Sequence, residues 1–182
     1  MRATVTYGWK MIEEKIIKFF RKHHVLTIAT TVDYEPWCAN CFYVYLEDEN
    51  ALVFTTDNDT RHGQEFIKNP LVAGSVVLET LVIGKLRGIQ FQGKVSEPKE
   101  KILQKARSAY LKRFPVALLM DTRIWMVELT FIKMTDNRLG FGKKLIWTLD
   151  SGLTAHDARR TAHDARLTTH DARHNVSGYN GE

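Results

Sequence analysis

The sequence contains no apolar run near the roughly 18 to 20 residues that a bilayer-spanning helix needs, so no such span is expected. Its first residues, Met1 to Thr6, lack the apolar core of a signal peptide, which makes the cytoplasm the expected compartment. There is no dense basic stripe with interleaved aromatics, so nucleic acid is not the partner expected for a net charge of +5. A phosphate-bearing small molecule suits that charge equally well. Cysteine is scarce. Cys38 and Cys41 form a Cys-x-x-Cys spacing, but they sit in a run that reads as a strand, Trp37 to Tyr45. Residues three apart on a strand point to opposite faces, so a buried thiol is favoured over a redox pair.

What remains is ordinary for one globular domain with a tail: 182 residues, 44% hydrophobic and 26% charged. Trp9, Ile12, Ile16 and Phe19 or Phe20 recur at helical period and predict an amphipathic helix of about 14 residues. From Val25 to Thr31 the chain turns β-branched and strand-like. Further strands are expected over Pro36 to Leu46 and Ala51 to Thr56, separated by the turn chemistry of Asp33 to Pro36 and the polar loop Glu47 to Asn50. Loops this short favour an antiparallel meander. A short helix over roughly 61–68 follows and stops at Asn69-Pro70. Strands are then expected over Leu71 to Leu78 and from Leu86 to Val95, the second with Ile89, Phe91 and Val95 on one face. A second long helix starts at Ser96-Glu97-Pro98, buries Ile102, Ala106, Ala109 and Tyr110, and ends before Pro115. The last long strand runs from Ile124 to Met134, with Trp125, Val127, Leu129 and Phe131 sharing a face. Closure of this mainly β (α+β) meander into an antiparallel barrel with flanking helices leaves no long sheet edge exposed.

Composition shifts after Asp150, giving an expected domain over 1–150 and a loosely ordered or frayed helical tail over 151–182. The tail holds three copies of a seven-residue unit, beginning at Thr154, Thr161 and Thr168. His156, His163 and His170 fall two helical turns, or about 10 Å, apart, too far to share one ion, so no metal site is expected.

Chemistry concentrates at Thr60-Arg61-His62. Helix N-terminal N–H groups are unpaired and carry the positive end of the dipole. A threonine hydroxyl, a forked guanidinium and an imidazole beside them suit phosphate. On the residues alone, an anion site and a plain cap with a solvated arginine weigh about equally. Lys143 and Lys144 after Gly140-Phe141-Gly142 suit a second anion, but a glycine-bounded turn with exposed lysines is the commoner reading of these residues. Trp147 either covers a ring or fills the barrel end.

The run Val53 to Thr56, then Thr60-Arg61-His62, then Asn69-Pro70 resembles the pyridoxamine 5′-phosphate oxidase superfamily of FMN-binding split barrels. Trp37 to Asn40, Arg87 to Phe91, Arg113 to Pro115 and Thr135 to Trp147 resemble its YhbP-like branch. The resemblance implies a split barrel, FMN as cofactor, a homodimer, and a flavoprotein of oxidoreductase type with an unassigned small-molecule substrate. It places Asn40, Thr55, Thr56, Thr60, Arg61, His62, Arg87, Lys143, Lys144 and Trp147 about the cofactor; His62 and Tyr43 are the side chains able to give a proton to a substrate, and neither is assigned as catalytic. The oxidases carry lysine where His62 stands, and their C-terminal arginine motif has no counterpart here. The other reading is a non-enzymatic split-barrel module for FMN, haem or another anionic ligand.

Overall fold

A computed structural model describes residues 11–119, 123–139 and 144–149. They lie in one compact unit that ends at Leu149; the second unit, Asp150–Glu182, with its heptad histidines, is outside the described residues. In chain order the elements are α1 (Glu14–Lys22), β1 (Val25–Val32), β2 (Glu35–Leu46), β3 (Ala51–Thr56), α2 (Arg61–Lys68), β4 (Leu71–Leu78), β5 (Arg87–Ser96), α3 (Glu100–Arg113), β6 (Arg123–Asp136) and β7 (Lys144–Thr148). Every strand pairing is antiparallel. The strand order is β3-β2-β1-β4-β5-β6-β7, and β3 also pairs with β6, so six strands close into a barrel. This is the antiparallel split barrel expected from the sequence.

The split lies on β6. Its first half pairs with β3 from Arg123 to Glu128, and its second half pairs with β7 from Phe131 to Thr135. Between the two, the Leu129 N–H donates to the Asn50 carbonyl, and the Leu149 N–H donates to the Thr130 carbonyl. Thr130 is also the extra residue of a bulge: Gln92 pairs with Phe131 while Gly93 pairs with Leu129. A bulge inserts one residue and reverses the alternation beyond it. Phe131 therefore faces outward, and Ile132 and Met134 turn inward. This corrects the expected single face of Trp125, Val127, Leu129 and Phe131. Glycine at position 93 belongs to the same irregularity, because a Cβ there would strike the Glu128 carbonyl and the Val127 side chain.

Two apolar clusters hold the molecule. The larger fills the barrel with Leu26, Ile28, Tyr43, Phe54, Ile89, Phe91, Val127 and Ile132, and is closed by Ile16 and Phe20 of α1 and Phe66 of α2. The smaller sits outside the barrel, where Ala106 and Tyr110 of α3 cover Ala51, Val53 and Met126. Helix α1 is shorter than its sequence pattern suggests, because Glu13 is extended (φ −56°, ψ 129°) and no side chain caps the helix. In α3 the expected Ile102 stays exposed; Ala106 and Tyr110 carry the contact. Cys38 is exposed and Cys41 buried, as their spacing requires, and burial pushes the Cys41 thiol up to about 11. Among the described residues no helix is long and apolar enough to cross a membrane.

Candidate functional site

The first turn of α2 is built by hydrogen bonds from small side chains. Thr60 is extended (φ −68°, ψ 148°), and its hydroxyl oxygen accepts from the Gly63 N–H at 3.1 Å, the geometry of an N-cap. The same hydroxyl lies 2.8 Å from the Asp57 carbonyl, to which it donates. Position 63 must be small: a Cβ there would meet the Asp57 carbonyl at 2.5 Å and the Thr60 hydroxyl at 2.9 Å. Thr56, at the inward-facing end of β3, brings its hydroxyl 3.1 Å from that of Thr60 and 2.7 Å from His62 Nε2.

Counting protons fixes the direction of this chain. A hydroxyl has one proton. That of Thr60 goes to Asp57, so Thr56 donates to Thr60, and His62 must donate to Thr56 from Nε2. The imidazole is thereby the Nε2–H tautomer. Burial lowers its pKa from 6.5, while the nearby Glu65 charge pulls weakly the other way. Its ring meets Phe66 edge-on, centroids 5.6 Å apart. His62 is thus a neutral donor at neutral pH, seated against the barrel core.

Arg61 goes elsewhere, because successive helical residues point about 100° apart. Its Nε donates to Glu65 Oε1 at 2.8 Å, Nη2 lies 3.5 Å from Glu35 Oε2, and its guanidinium carbon stands 4.6 Å over the Trp37 ring. Glu65 is buried and also accepts from the Thr30 hydroxyl, and these bonds, Arg61 first, hold its carboxyl below the usual range. Val32, Asp33, Glu35, Arg61, Gln64, Glu65 and Lys68 line a cleft of about 310 Å³ here. The expected trio is therefore divided: Thr60 and His62 join Thr56, and Arg61 belongs to the cleft against the β1–β2 hairpin.

A second hollow, of about 500 Å³, lies on the outer face of the sheet. Its floor is small (Thr27, Ala29, Ala73, Gly74, Ser75), and Cys38, Gln90, Gln92, Phe131 and Lys133 border it. Asn40 stands beside it, on the outer face, and its side-chain oxygen accepts from Thr27 at 2.8 Å. The other expected residues are apart. Thr55 faces the opposite way from Thr56 and bonds Tyr110 on α3 at 3.0 Å. Arg87 pairs with Asp136 at the other end of β6, thirteen residues from the Arg123 that pairs with Thr56, or about 40 Å of strand. The Arg87 Nε there is buried without a hydrogen-bond partner. Lys144 is exposed at the start of β7, opposite Thr135. Trp147 is buried in the core cluster opposite Ile132 and also lines a cavity of about 530 Å³ with Tyr45, Asn50 and Leu129. Lys143 lies outside the described residues. Tyr43 is in the core, its hydroxyl donating to the Phe20 carbonyl at 2.9 Å and its pKa raised by burial, so it lines no cleft.

Sequence reasoning missed Glu65, Gln90, Gln92 and Lys133. The Arg61/Glu65 spacing of four was a legible signal for the first. The others needed the register of β4, β5 and β6, and for Lys133 the bulge as well.

No protein-family model matches this chain. Its relatives are nonetheless clear. A UPF0306 protein of Photorhabdus laumondii is 45% identical over 132 residues, 72% of this chain and 92% of that protein. One from Yersinia pseudotuberculosis is 44% identical over 133 residues, 73% of this chain and 90% of that protein. The chain belongs to the UPF0306 family. Among solved structures, this UPF0306 chain is similar to a heme binding protein from Mycobacterium smegmatis, with TM-score 0.63 and 19% identity over 76% of this chain and 60% of that one. It is also similar to a FAD-binding protein from Mesorhizobium loti (TM-score 0.56, 13% identity, 68% of this chain and 94% of that one). A third likeness is to HutZ, the heme storage protein from Vibrio cholerae (TM-score 0.54, 15% identity, 76% of this chain and 96% of that one). At these identities the likeness establishes the fold.

Proposed function

We propose that this UPF0306 chain is a cytoplasmic FMN-binding flavoprotein of oxidoreductase type, of the YhbP-like branch, working as a homodimer. One observation carries the reading: the directed chain His62 to Thr56 to Thr60 to Asp57 at the start of α2. The group fits on the side of the protein. The N–H groups of Arg61 and His62 open the helix and have no carbonyl within it to bond. Both can donate to a phosphate, with the helix dipole behind them. Neutral His62 and the threonines order that turn without adding charge, and Arg61 supplies the cation at its edge. FMN itself brings the electron-transfer chemistry, so the chain needs to bind, orient and shield it. The small floor of the hollow admits a flat ring, and Gln90, Gln92 and Lys133 around it offer hydrogen-bond donors.

A second copy of the chain is part of the proposal. Arg87 and Lys144 are at the far end of the barrel, so they reach an α2 site from a neighbouring protomer and not from their own. Exposed Val25, Phe42, Leu71, Val77 and Ile146 on the strands supply an apolar surface for such a contact.

The alternative is a non-enzymatic module that holds haem, FMN or another anionic ligand. It is favoured by the likeness to a heme binding protein and to HutZ. An absorption spectrum of freshly purified protein, followed by FMN titration, separates the two. Flavin bands, or saturable FMN binding that Thr56→Val weakens by about 1 to 3 kcal/mol, support the first reading. A haem spectrum with no FMN binding overturns it.

A further inference from the structure

Arg61 is held by two carboxylates of opposite character. Glu65 is fixed: its side chain is 10% exposed, it takes Nε at 2.8 Å, and Thr30 secures its other oxygen. Glu35 is loose: its side chain is 79% exposed, and it approaches Nη2 only at 3.5 Å. The backbone beneath Glu35 is not free to swing. It follows a two-residue turn in which Asp33 and Tyr34 both have positive φ (52° and 65°), and Val32 pairs directly with Glu35 across it. Motion of Glu35 is therefore motion of its side chain. Trp37, two residues on, supports the guanidinium from below.

A guanidinium has five N–H donors in a rigid fork. Glu65 takes Nε–H, and Nη2 is the group that Glu35 approaches. We infer that Glu35 is a specificity residue of this site: it occupies the outer Nη group of Arg61 and is exchanged for a phosphate-monoester oxygen, while Glu65 and Trp37 keep the fork in place. The inference rests on the phosphate reading above and adds what competes for that phosphate. The contrast in exposure and distance carries it. An exposed pair at 3.5 Å is weak, and a phosphate accepts two parallel N–H bonds where Glu35 accepts one long one. Lys68, on the cleft rim, adds a second positive charge to the exchange.

A double-mutant cycle tests this with FMN, riboflavin and inorganic phosphate as probes. Glu35→Gln should tighten FMN binding roughly two- to fivefold, the worth of one exposed ion pair. Riboflavin, which has no phosphate, should bind the variant and the parent alike. In an Arg61→Gln background, Glu35→Gln should change nothing. An equal gain in both backgrounds would make Glu35 a general surface charge and overturn the inference, as would an equal gain for riboflavin. If the parent binds no flavin at all, the flavin reading fails but the exchange is still read by phosphate titration. The Arg61 Nε–H and Trp37 indole N–H resonances should then shift with phosphate, at lower concentration in Glu35→Gln. No shift in either protein overturns the exchange itself.

Discussion

Helices α2 and α3 both lie against the barrel, but they are held by different means. Helix α2 has eight residues, a threonine cap, and an arginine tied at both sides. Its one large anchor, Phe66, enters the barrel core against Phe54 (centroids 5.8 Å) and Trp125 (5.3 Å). Helix α3 has fourteen residues and no side-chain cap at Lys99, and its first residue, Glu100, has φ 48°. It leans on the sheet through Ala106 and Tyr110. The shorter helix thus carries more polar organisation than its packing needs. Surplus order of that kind, fixed by buried or half-buried groups, marks a place where side chains must hold a set geometry for something other than the fold.

Truncating the anchors tests this contrast most strongly. Phe66→Ala should destabilise the protein by about 3 to 5 kcal/mol, since it opens a cavity among close-packed aromatics. On α3, Tyr110→Phe removes only the hydroxyl bond to Thr55 and should cost about 0.5 to 1.5 kcal/mol. Urea unfolding of both variants checks the pair, and comparable losses would mean that α2 is not anchored through Phe66. The caps come next. Thr60→Ala should cost about 1 to 2 kcal/mol, because it removes the cap and interrupts the bonds from Thr56 to Asp57. Lys99→Ala at the start of α3 should stay within about 0.5 kcal/mol in the same assay.

The fold was largely legible in the sequence, because alternation and turn chemistry act locally. The borders of β3, α2 and β4 follow from Asn50, Asp57 to Thr60, and Asn69-Pro70, each of which stops or starts an element by its own backbone preference. Strand β7 was not, since Lys144 to Thr148 follows glycines and reads as a turn until β6 offers it an edge. The outward turn of Phe131 depends on a bulge at Thr130, which is a property of two strands together. The site was legible in part. Helix-terminus physics finds Thr60, but nothing local tells that Arg61 stacks on Trp37, or that Thr55 serves α3 while Thr56 serves α2. Those assignments need the third dimension.

Acid should act on the α2 end in a definite direction. His62 is partly buried, and burial lowers its pKa from 6.5. The unfolded chain therefore takes up the proton first, so the stability His62 allows is fully present above pH 6.5 and is lost as the pH falls below it. His23 shares the direction, through burial first and then the charges of Arg87, Lys22, His24 and Arg113. Melting temperatures across this window should fall with pH in the parent and fall less in His62→Gln. An unchanged slope would show that His62 does not carry the effect. The same protonation adds a positive charge beside the α2 N-terminus, so phosphate affinity should rise while stability falls.

The smallest effect belongs to α3. Lys105 reaches Asp48 at 2.7 Å and Glu49 at 2.8 Å in the β2–β3 loop, the clearest polar tie between that helix and the barrel. All three side chains retain exposure, at 43%, 82% and 21%, so water competes for each charge. Lys105→Met should cost little stability even at low salt. At about 1 M salt the Debye length falls to roughly 3 Å and the loss should nearly vanish. A salt-insensitive loss would mean instead that the aliphatic stem of Lys105 packs on the loop, and α3 would then be held by packing at this point as well. The α2 contacts should respond differently, because Glu65 lies largely out of water: the cost of Glu65→Ala should persist at the same salt concentration. That difference in salt response separates an exposed tether from a buried, built site.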